Sequence, residues 1–332
     1  MTKNSKILFG LLAIIVIAGL TYHFKTKKVT TTEKETVKSG MVTFPGYAPL
    51  YLAKEKGLFK DLNVELVRIE AIGDLRAAMA SGKIDMYLAT PDIFQATEKQ
   101  APVGIGFLAI DESHGADGVA VAENIKTIAD LKGKKVGAEP GFPPYFVLQY
   151  MLHKENLTLK ELNFKDIASQ DAGNAFVAKQ LDAVGTYEPY LSKSVSLRPN
   201  SRVMVSSADL SGLIVDLIYA NEKLINEKPE VLKKVADGWF EAVAYYEANQ
   251  KESMEIMSKA FGVTPQEMID IKSGVSWLNK EQNVKLFDNT AETNIFKTFD
   301  LVGEIHLKNN SNTFRVSSKD KLTDKIIKQY QN

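Results

Sequence analysis

The chain has 332 residues, 45% of them apolar, which is enough for two domains that each bury a hydrophobic core. Lys plus Arg and Asp plus Glu both number 41, so the overall charge does not indicate a nucleic-acid partner. The sequence contains no Cys, which excludes disulfides, Cys-based zinc sites, thiol nucleophiles and lipid attachment to a Cys.

The N-terminus has the pattern of an export signal. Lys3 and Lys6 precede an apolar run, and lysines follow the run again. This pattern predicts that residues 1–24 are either a signal sequence, cleaved after Ala18, or a membrane anchor retained through residues 7–24. We therefore expect a protein that is exported across the inner membrane or anchored to it.

The segment after this run is polar and without hydrophobic periodicity. We therefore predict that residues 25–36 form a linker between the membrane and a folded domain. Leu20 stands where bacterial lipoproteins have their lipidated Cys. We expect a periplasmic or otherwise extracytoplasmic location and no lipid anchor.

Short strands and helices alternate from residue 37 onward, which favours an α/β fold with mostly parallel sheets and helices on both faces. Long amphipathic patterns predict that helices dominate the last third of the chain. Strands are predicted at residues 37–42, 63–69, 84–89, 103–110, 134–138 and 214–220, and helices at residues 47–56, 75–80, 230–261 and 322–330, with others opening at Pro91 and Pro265.

The pattern contains an internal repeat. Residues 77–94 and 175–192 share one plan, which is a small-residue helix, an apolar residue followed by Asp, a short strand, a Thr and a Pro-opened helix. The repeat predicts two α/β lobes of related topology. We interpret its aspartates, Asp85 and Asp182, as turn-forming residues at strand starts.

Five motifs along the chain resemble the substrate-binding proteins of ABC importers, in particular the group that serves taurine, alkanesulfonates, nitrate and thiamine-pyrimidine precursors. They occur in that family's order and spacing, and the resemblance covers residues 37–301. The motifs are GYAPLYLAKEKGLF (46–59), ASGKIDMYLATPD (80–92), GADGVAV (115–121), TIADLKGKKVGAEPG (127–141) and DAGNAFVAKQLDAVGTYEPYLSK (171–193).

The resemblance implies a two-lobed fold of the type II periplasmic-binding-protein kind, with a ligand cleft between the lobes. By that analogy lobe 1 comprises residues 37–111 and 213–332, and lobe 2 comprises residues 112–212. The implied partners are a small-molecule ligand, an ABC permease and its ATPase. The same analogy implies no cofactor and no chemistry on the ligand.

The turn after the strand at residues 134–138 bears on the ligand. The family's sulfonate binders resemble each other in having Ser or Thr there, whereas this chain has Phe142, Pro143 and Pro144. The two prolines lack an N–H group, and no Arg occurs between Arg76 and Arg198. This turn therefore lacks the hydroxyl, N–H and Arg groups that anions prefer.

Acidic and aromatic residues fall instead in the loops expected to line the cleft. Carboxylates and aromatic rings suit a nitrogen heterocycle, such as a thiamine-pyrimidine-like compound, or an organic cation. Taurine, an alkanesulfonate or nitrate is the alternative ligand class. The predicted ligand-binding residues are Tyr47, Thr90, Asp111, Asp117, Phe142, Tyr187, Glu188 and Asp216.

Several of these residues also have an ordinary structural interpretation. Thr90 and Glu188 stand at helix openings, where they would cap a helix or favour its dipole regardless of ligand. Asp111 and Asp117 would shape a hinge, and Phe142 would pack inside.

The sequence does not predict an enzyme. Gly104 and Gly106 mimic part of a dinucleotide-binding motif, but they lie in a strand pattern with no helix opening after it. The four His residues lack metal-ligand spacing. An enzyme branch that makes the thiamine pyrimidine resembles this fold, but it carries a Cys-rich motif that this chain cannot supply. A membrane-tethered ligand-sensing domain with the same cleft is the second alternative to transport.

Overall fold

The computed structural model describes residues 34–96, 103–309 and 316–331. The predicted signal or anchor and most of the predicted linker lie outside these residues. No helix within the described part of the chain is long and apolar enough to cross a membrane. The fold below belongs to one compact unit, Thr36–Asn332.

The described residues form eleven strands and thirteen α-helices. The strands are β1 (Glu35–Met41), β2 (Leu62–Arg68), β3 (Met86–Ala89), β4 (Ile105–Ser113), β5 (Asp117–Val121), β6 (Lys135–Ala138), β7 (Asn163–Asp166), β8 (Ala183–Tyr187), β9 (Arg202–Ser206), β10 (Val215–Ala220) and β11 (Val275–Trp277). The helices are α1 (Ala48–Glu55), α2 (Ile72–Ala80), α3 (Pro91–Gln95), α4 (Pro143–Lys154), α5 (Ser169–Val177), α6 (Tyr190–Leu197), α7 (Glu222–Glu227), α8 (Pro229–Ala248), α9 (Gln250–Phe261), α10 (Pro265–Lys272), α11 (Lys280–Leu286), α12 (Ile295–Asn309) and α13 (Ser318–Lys321).

The strands form two sheets, with the orders β11-β4-β10-β3-β1-β2 and β7-β6-β8-β5-β9. The predicted α/β class, with two sheets flanked by helices, is confirmed. The sheets are mixed rather than mostly parallel, because β10 runs antiparallel to β3 and β4, and β5 runs antiparallel to β8 and β9. The chain passes from the first sheet to the second between β4 and β5, and it returns between β9 and β10. The strands at these crossings run antiparallel to strands beside them.

The internal repeat has a structural counterpart in each sheet. The Asp85 carboxylate accepts the backbone N–H of Lys38 at 2.9 Å, and the Asp182 carboxylate accepts that of Lys135, also at 2.9 Å. In both cases the Asp lies directly before or near the start of a strand and binds the backbone of a neighbouring strand, at the middle of β1 or at the start of β6. These aspartates therefore have the structural role that the sequence predicts.

Two predicted helices differ from the structure. The pattern over residues 230–261 is divided into α8 and α9, because Asn249 adopts φ −139° and ψ 49°, which ends the first helix. The predicted helix at residues 322–330 is wrong. Only Ile327–Tyr330 forms a 3₁₀ turn, while Leu322 makes an isolated β-bridge with Gly106 of β4. The apolar residues of this tail pack into the core beside the first sheet without forming an α-helix.

A glycine in α8 is required by close packing. A Cβ at Gly238 would lie 2.4 Å from Cδ1 of Phe59, whose ring is buried. Gly238→Ala should therefore lower the free energy of unfolding by about 1–2 kcal/mol, because overpacking outweighs the better helix propensity of Ala. Urea unfolding measures this. Gly73→Ala in α2, where nothing lies within 4 Å of the new Cβ, is the matched control and should not destabilise the fold.

Candidate functional site

Three of the predicted site residues lie where the chain passes between the sheets. Asp111 stands near the end of β4 and is the cross-strand partner of Asp216 at the start of β10. Asp117 is the first residue of β5, directly after the first crossing. Because the crossing strands pair with each other, carboxyl groups far apart in sequence are brought together.

Asp111 and Asp216 form a buried carboxyl pair, and one tyrosine hydroxyl donates a hydrogen bond to it. The Tyr47 hydroxyl donates to Oδ1 of Asp216 at 2.7 Å. Neither oxygen of Asp111 receives a hydrogen bond from an N–H or hydroxyl donor of the described residues. Gly46 permits the close approach of the backbone, because a Cβ there would lie 2.3 Å from Oδ2 of Asp111.

Two further carboxyl groups complete the cluster. Ser113 donates from Oγ to Oδ2 of Asp117 at 2.6 Å. Asp92, in the first turn of α3, acts electrostatically on both Asp117 and Asp216. We refer to Asp92, Asp111, Asp117 and Asp216 as the carboxyl cluster; their exposed fractions are 3%, 0%, 6% and 5%.

Burial dominates the electrostatics of the carboxyl cluster. Burial raises the pKa of Asp92 to about 6 and the pKa values of Asp117 and Asp216 to about 7. Burial, together with the neighbouring Asp216 carboxylate, raises the pKa of Asp111 well above its ordinary value. No ion pair among the described residues involves any member of the cluster. The cluster is therefore a set of acceptors without a protein cation.

Aromatic rings stand beside these carboxyls. Tyr187, the cross-strand partner of Asp117, stacks against Phe142 with ring centroids 6.4 Å apart. Phe142 is the residue before α4, and both rings are partly exposed. The predicted pair of rings and the predicted Asp117 thus lie next to one another, as a flat ligand would need.

The two remaining predicted residues are placed differently. Thr90 is buried directly before α3 and makes no capping hydrogen bond with its side chain, but its hydroxyl lies close enough to Asp92 to oppose the rise in the pKa of that carboxyl. Glu188 is exposed, and its Oε2 accepts hydrogen bonds from the N–H and the hydroxyl of Ser192 at 3.2 and 2.7 Å. The Glu188 side chain is engaged in stabilising the start of α6.

Two open grooves are lined by other residues and by no member of the carboxyl cluster. One, of about 830 Å³, is lined by residues that include Phe240, Trp277 and Tyr330, and the other, of about 560 Å³, includes Tyr150 and Leu210. The carboxylate of Asp237 in the first groove already accepts a hydrogen bond from Tyr330 and pairs with a lysine. We consider the carboxyl cluster the stronger candidate because one oxygen of Asp92 and both oxygens of Asp111 are buried without a hydrogen-bond partner among the described residues.

Comparison with known proteins identifies the family. The family described as NMT1/THI5 like matches residues 44–253. The chain belongs to the NMT1/THI5-like family. The predicted family resemblance is confirmed, and the matched region contains the carboxyl cluster and both aromatic residues.

Individual relatives of this NMT1/THI5-like chain have several described roles. A binding protein of Brucella abortus is 27% identical over 71% of this chain and 74% of its own length. A thiamine biosynthesis protein of Haemophilus influenzae is 30% identical over 46% of this chain and 49% of its own. The periplasmic aliphatic sulphonate binding protein SsuA of Escherichia coli aligns with a TM-score of 0.67 at 21% identity, covering 89% of this chain and 99% of that one. The likeness to SsuA confirms the predicted periplasmic-binding-protein fold.

Sequence reasoning missed several residues of the site in this family member. Asp92 lies in the quoted ATPD motif, but its place in a helix turn gave no sign that it faces the other carboxyls. Tyr219, on β10, stacks with Phe94 at 4.0 Å, and its hydroxyl is buried without a described partner. Ser113 and Ser207, which contact one another at 2.8 Å, belong to the two crossings.

The chemistry available at the site is recognition by acceptors and aromatic faces. No group of three or more His, Cys, Asp or Glu in the described residues is arranged to hold a metal ion. Protonated carboxyls accept and donate hydrogen bonds, whereas ionised ones attract a cation, so the site suits a ligand rich in N–H donors.

Proposed function

We propose that the chain is the substrate-binding protein of an ABC importer, and that it binds a small nitrogenous aromatic or cationic solute between its lobes. The lobes are residues 37–111 with 213–332, and residues 112–212. The solute is thiamine-pyrimidine-like or another organic amine, and the partners are the permease and its ATPase. Export through the N-terminal segment, with cleavage or retention as an anchor, is part of this proposal.

The observation that carries the ligand class is the carboxyl cluster. Ionising a buried carboxyl without a partner costs several kcal/mol, so an empty site keeps Asp111 and part of the Asp117 and Asp216 population protonated at neutral pH. A ligand cation or several ligand N–H donors would supply the missing partners. The stack of Phe142 and Tyr187 beside Asp117 provides a face for a flat ring.

Burial of the site supports a binding protein that opens and closes. The members of the carboxyl cluster are at most 6% exposed, so a ligand reaches them only if the two sheets move apart. Two crossing segments that connect two lobes permit such hinge motion, and the ligand shifts the equilibrium by its preference for the closed state.

An anionic solute is the second candidate, favoured by the described roles of relatives such as SsuA. A sulfonate would have to lie beside four carboxyl groups. The first positions of α4 are Pro143 and Pro144, which remove two N–H groups that would otherwise bind an oxyanion. These features favour the nitrogenous solute.

A thermal-shift screen of the full chain, purified in mild detergent, tests the proposal. The probes are aminopyrimidines, a quaternary ammonium compound, taurine, ethanesulfonate and nitrate, each at pH 8. A ligand at 100 times its Kd should stabilise the protein by about 2.7 kcal/mol. We expect stabilisation by an aminopyrimidine or an ammonium compound and none by ethanesulfonate or nitrate.

The outcome separates the two parts of the proposal. Stabilisation by ethanesulfonate alone would overturn the ligand class and leave the binding function. Taurine, which carries both an amine and a sulfonate, is interpreted only by comparison with ethanesulfonate. Asp117→Asn and Glu188→Gln are matched variants, and we expect only the first to weaken binding, because Glu188 is bonded to Ser192 outside the cluster.

A further inference from the structure

The two crossings are not joined by backbone pairing along their whole length. On one side, β5 and β9 pair as far as Gly118 and Ser206. On the other side, the N–H of Ser113 donates to the carbonyl of Ile214 at 2.9 Å, next to the pairing of β4 with β10. Between these points the second crossing turns away as a 3₁₀ turn, Ser207–Asp209.

The buried hydroxyl of Ser207 connects the two crossings between these points. The N–H of Gly115 donates to Oγ of Ser207 at 2.8 Å, and Ser207 Oγ lies 2.8 Å from Oγ of Ser113. The N–H of Asp117 approaches the same Ser207 oxygen at 3.4 Å. Ser113 and Ser207 are 3% and 1% exposed, so water does not compete for these contacts.

The direction of the hydrogen bonds follows from counting protons. Ser113 uses its hydroxyl proton to donate to Oδ2 of Asp117 at 2.6 Å. It must therefore accept from Ser207, whose own oxygen accepts from Gly115. A chain of donors runs from the backbone of the first crossing, through the second crossing, and back to a carboxylate of the proposed site.

We propose that Ser207 and Ser113 are positioning residues that couple the charge of Asp117 to the arrangement of the two crossings. This inference rests on the proposed function, because it treats the crossings as the hinge between the lobes. A side-chain link can rotate about its own bonds when the lobes move, whereas a continuous backbone ladder would resist the movement.

The charge on Asp117 determines the strength of the hydrogen bonds in this chain of donors. A hydrogen bond to an ionised carboxylate is roughly twice as strong as one between neutral groups. The other titratable groups that act on or face Asp117 are Asp92 from α3, Asp111 from β4, Asp216 from β10 and Tyr187 from β8. A cationic ligand that keeps Asp117 ionised would strengthen the link and so favour the arrangement of the two crossings in which these hydrogen bonds are formed.

Two measurements on the full chain without ligand test this coupling in Ser207→Ala. Hydrogen exchange at the Gly115 amide should become about tenfold faster, because that N–H loses its acceptor. The titration midpoint of Asp117, followed by the chemical shift of its carboxyl carbon, should rise by about half a pH unit or more. The rise is expected because Ser113, once it no longer accepts a hydrogen bond, donates less strongly to the ionised form.

Three variants make the test decisive. Ser113→Ala should raise the Asp117 midpoint further, and Ser207→Thr, which keeps the hydroxyl, should restore both readouts. Ser206→Ala is the matched control, because among the described residues the Ser206 hydroxyl contacts Asp209 in its own turn and is not part of the chain of donors, so the substitution should change neither readout. Faster Gly115 exchange with an unchanged Asp117 midpoint in Ser207→Ala would overturn the coupling. The test contains no ligand, so its failure is distinct from failure of the proposed ligand class.

Discussion

The affinity for a permanently cationic solute should rise about tenfold per pH unit between about pH 5 and pH 7, and then level off. The pKa values of Asp117 and Asp216 are raised to about 7 in the free protein by burial. A ligand with one positive charge is neutralised by one ionised carboxylate, so binding below pH 7 should release about one proton although both groups are largely protonated there. Isothermal titration calorimetry over pH 5–8, with a quaternary ammonium ligand that does not titrate, measures this slope.

The same experiment distinguishes a cation from an anion by sign. Binding of a sulfonate would favour the protonated carboxyls, so its affinity would fall as the pH rises towards 7. Repeating the titration in two buffers of different ionisation enthalpy counts the protons released, and we expect about one at pH 6. Asp117→Asn should lower that count, whereas Glu188→Gln should leave it unchanged. An affinity independent of pH would contradict the assignment of the carboxyl cluster as the ligand site.

Much of the fold is encoded in local sequence pattern. The strand predicted at residues 134–138 is β6, Lys135–Ala138, because a short apolar run bounded by turn residues has few other ways to be buried. The tail was not predictable in this way. An apolar pattern reports burial rather than helix, and Ile326 and Ile327 are buried without a regular α-helix.

The site depends on tertiary pairing that local pattern does not contain. Asp111 and Asp117 could be selected because they flank a crossing that the family resemblance implies. Tyr219 could not, because it reaches its place only when β10 returns beside β3, where it becomes the partner of Tyr87. Asp92 likewise gains its electrostatic neighbours from strands distant in sequence.

Asp111→Asn should raise the free energy of unfolding at pH 8 by more than about 1.4 kcal/mol, the equivalent of one pKa unit, and weaken cation binding by more than tenfold. The pKa of Asp111 is well above its ordinary value in the folded protein, mainly through burial. The folded state therefore holds a proton that the unfolded state releases above about pH 4, so Asp111 makes the protein less stable as the pH rises. Asn resembles the protonated carboxyl and has no such dependence.

Urea unfolding of the ligand-free chain from pH 5 to pH 8 measures this difference, which should shrink as the pH approaches 4. Asp182→Asn is the control, because its carboxylate accepts the backbone N–H of Lys135, and losing that charge-assisted bond should destabilise the fold by about 1 kcal/mol. Destabilisation by Asp111→Asn at pH 8 would mean that Asp111 is ionised and paired in the folded protein. If the variant is more stable but binds the ligand more weakly, Asp111 lowers the stability of the fold and contributes to ligand binding.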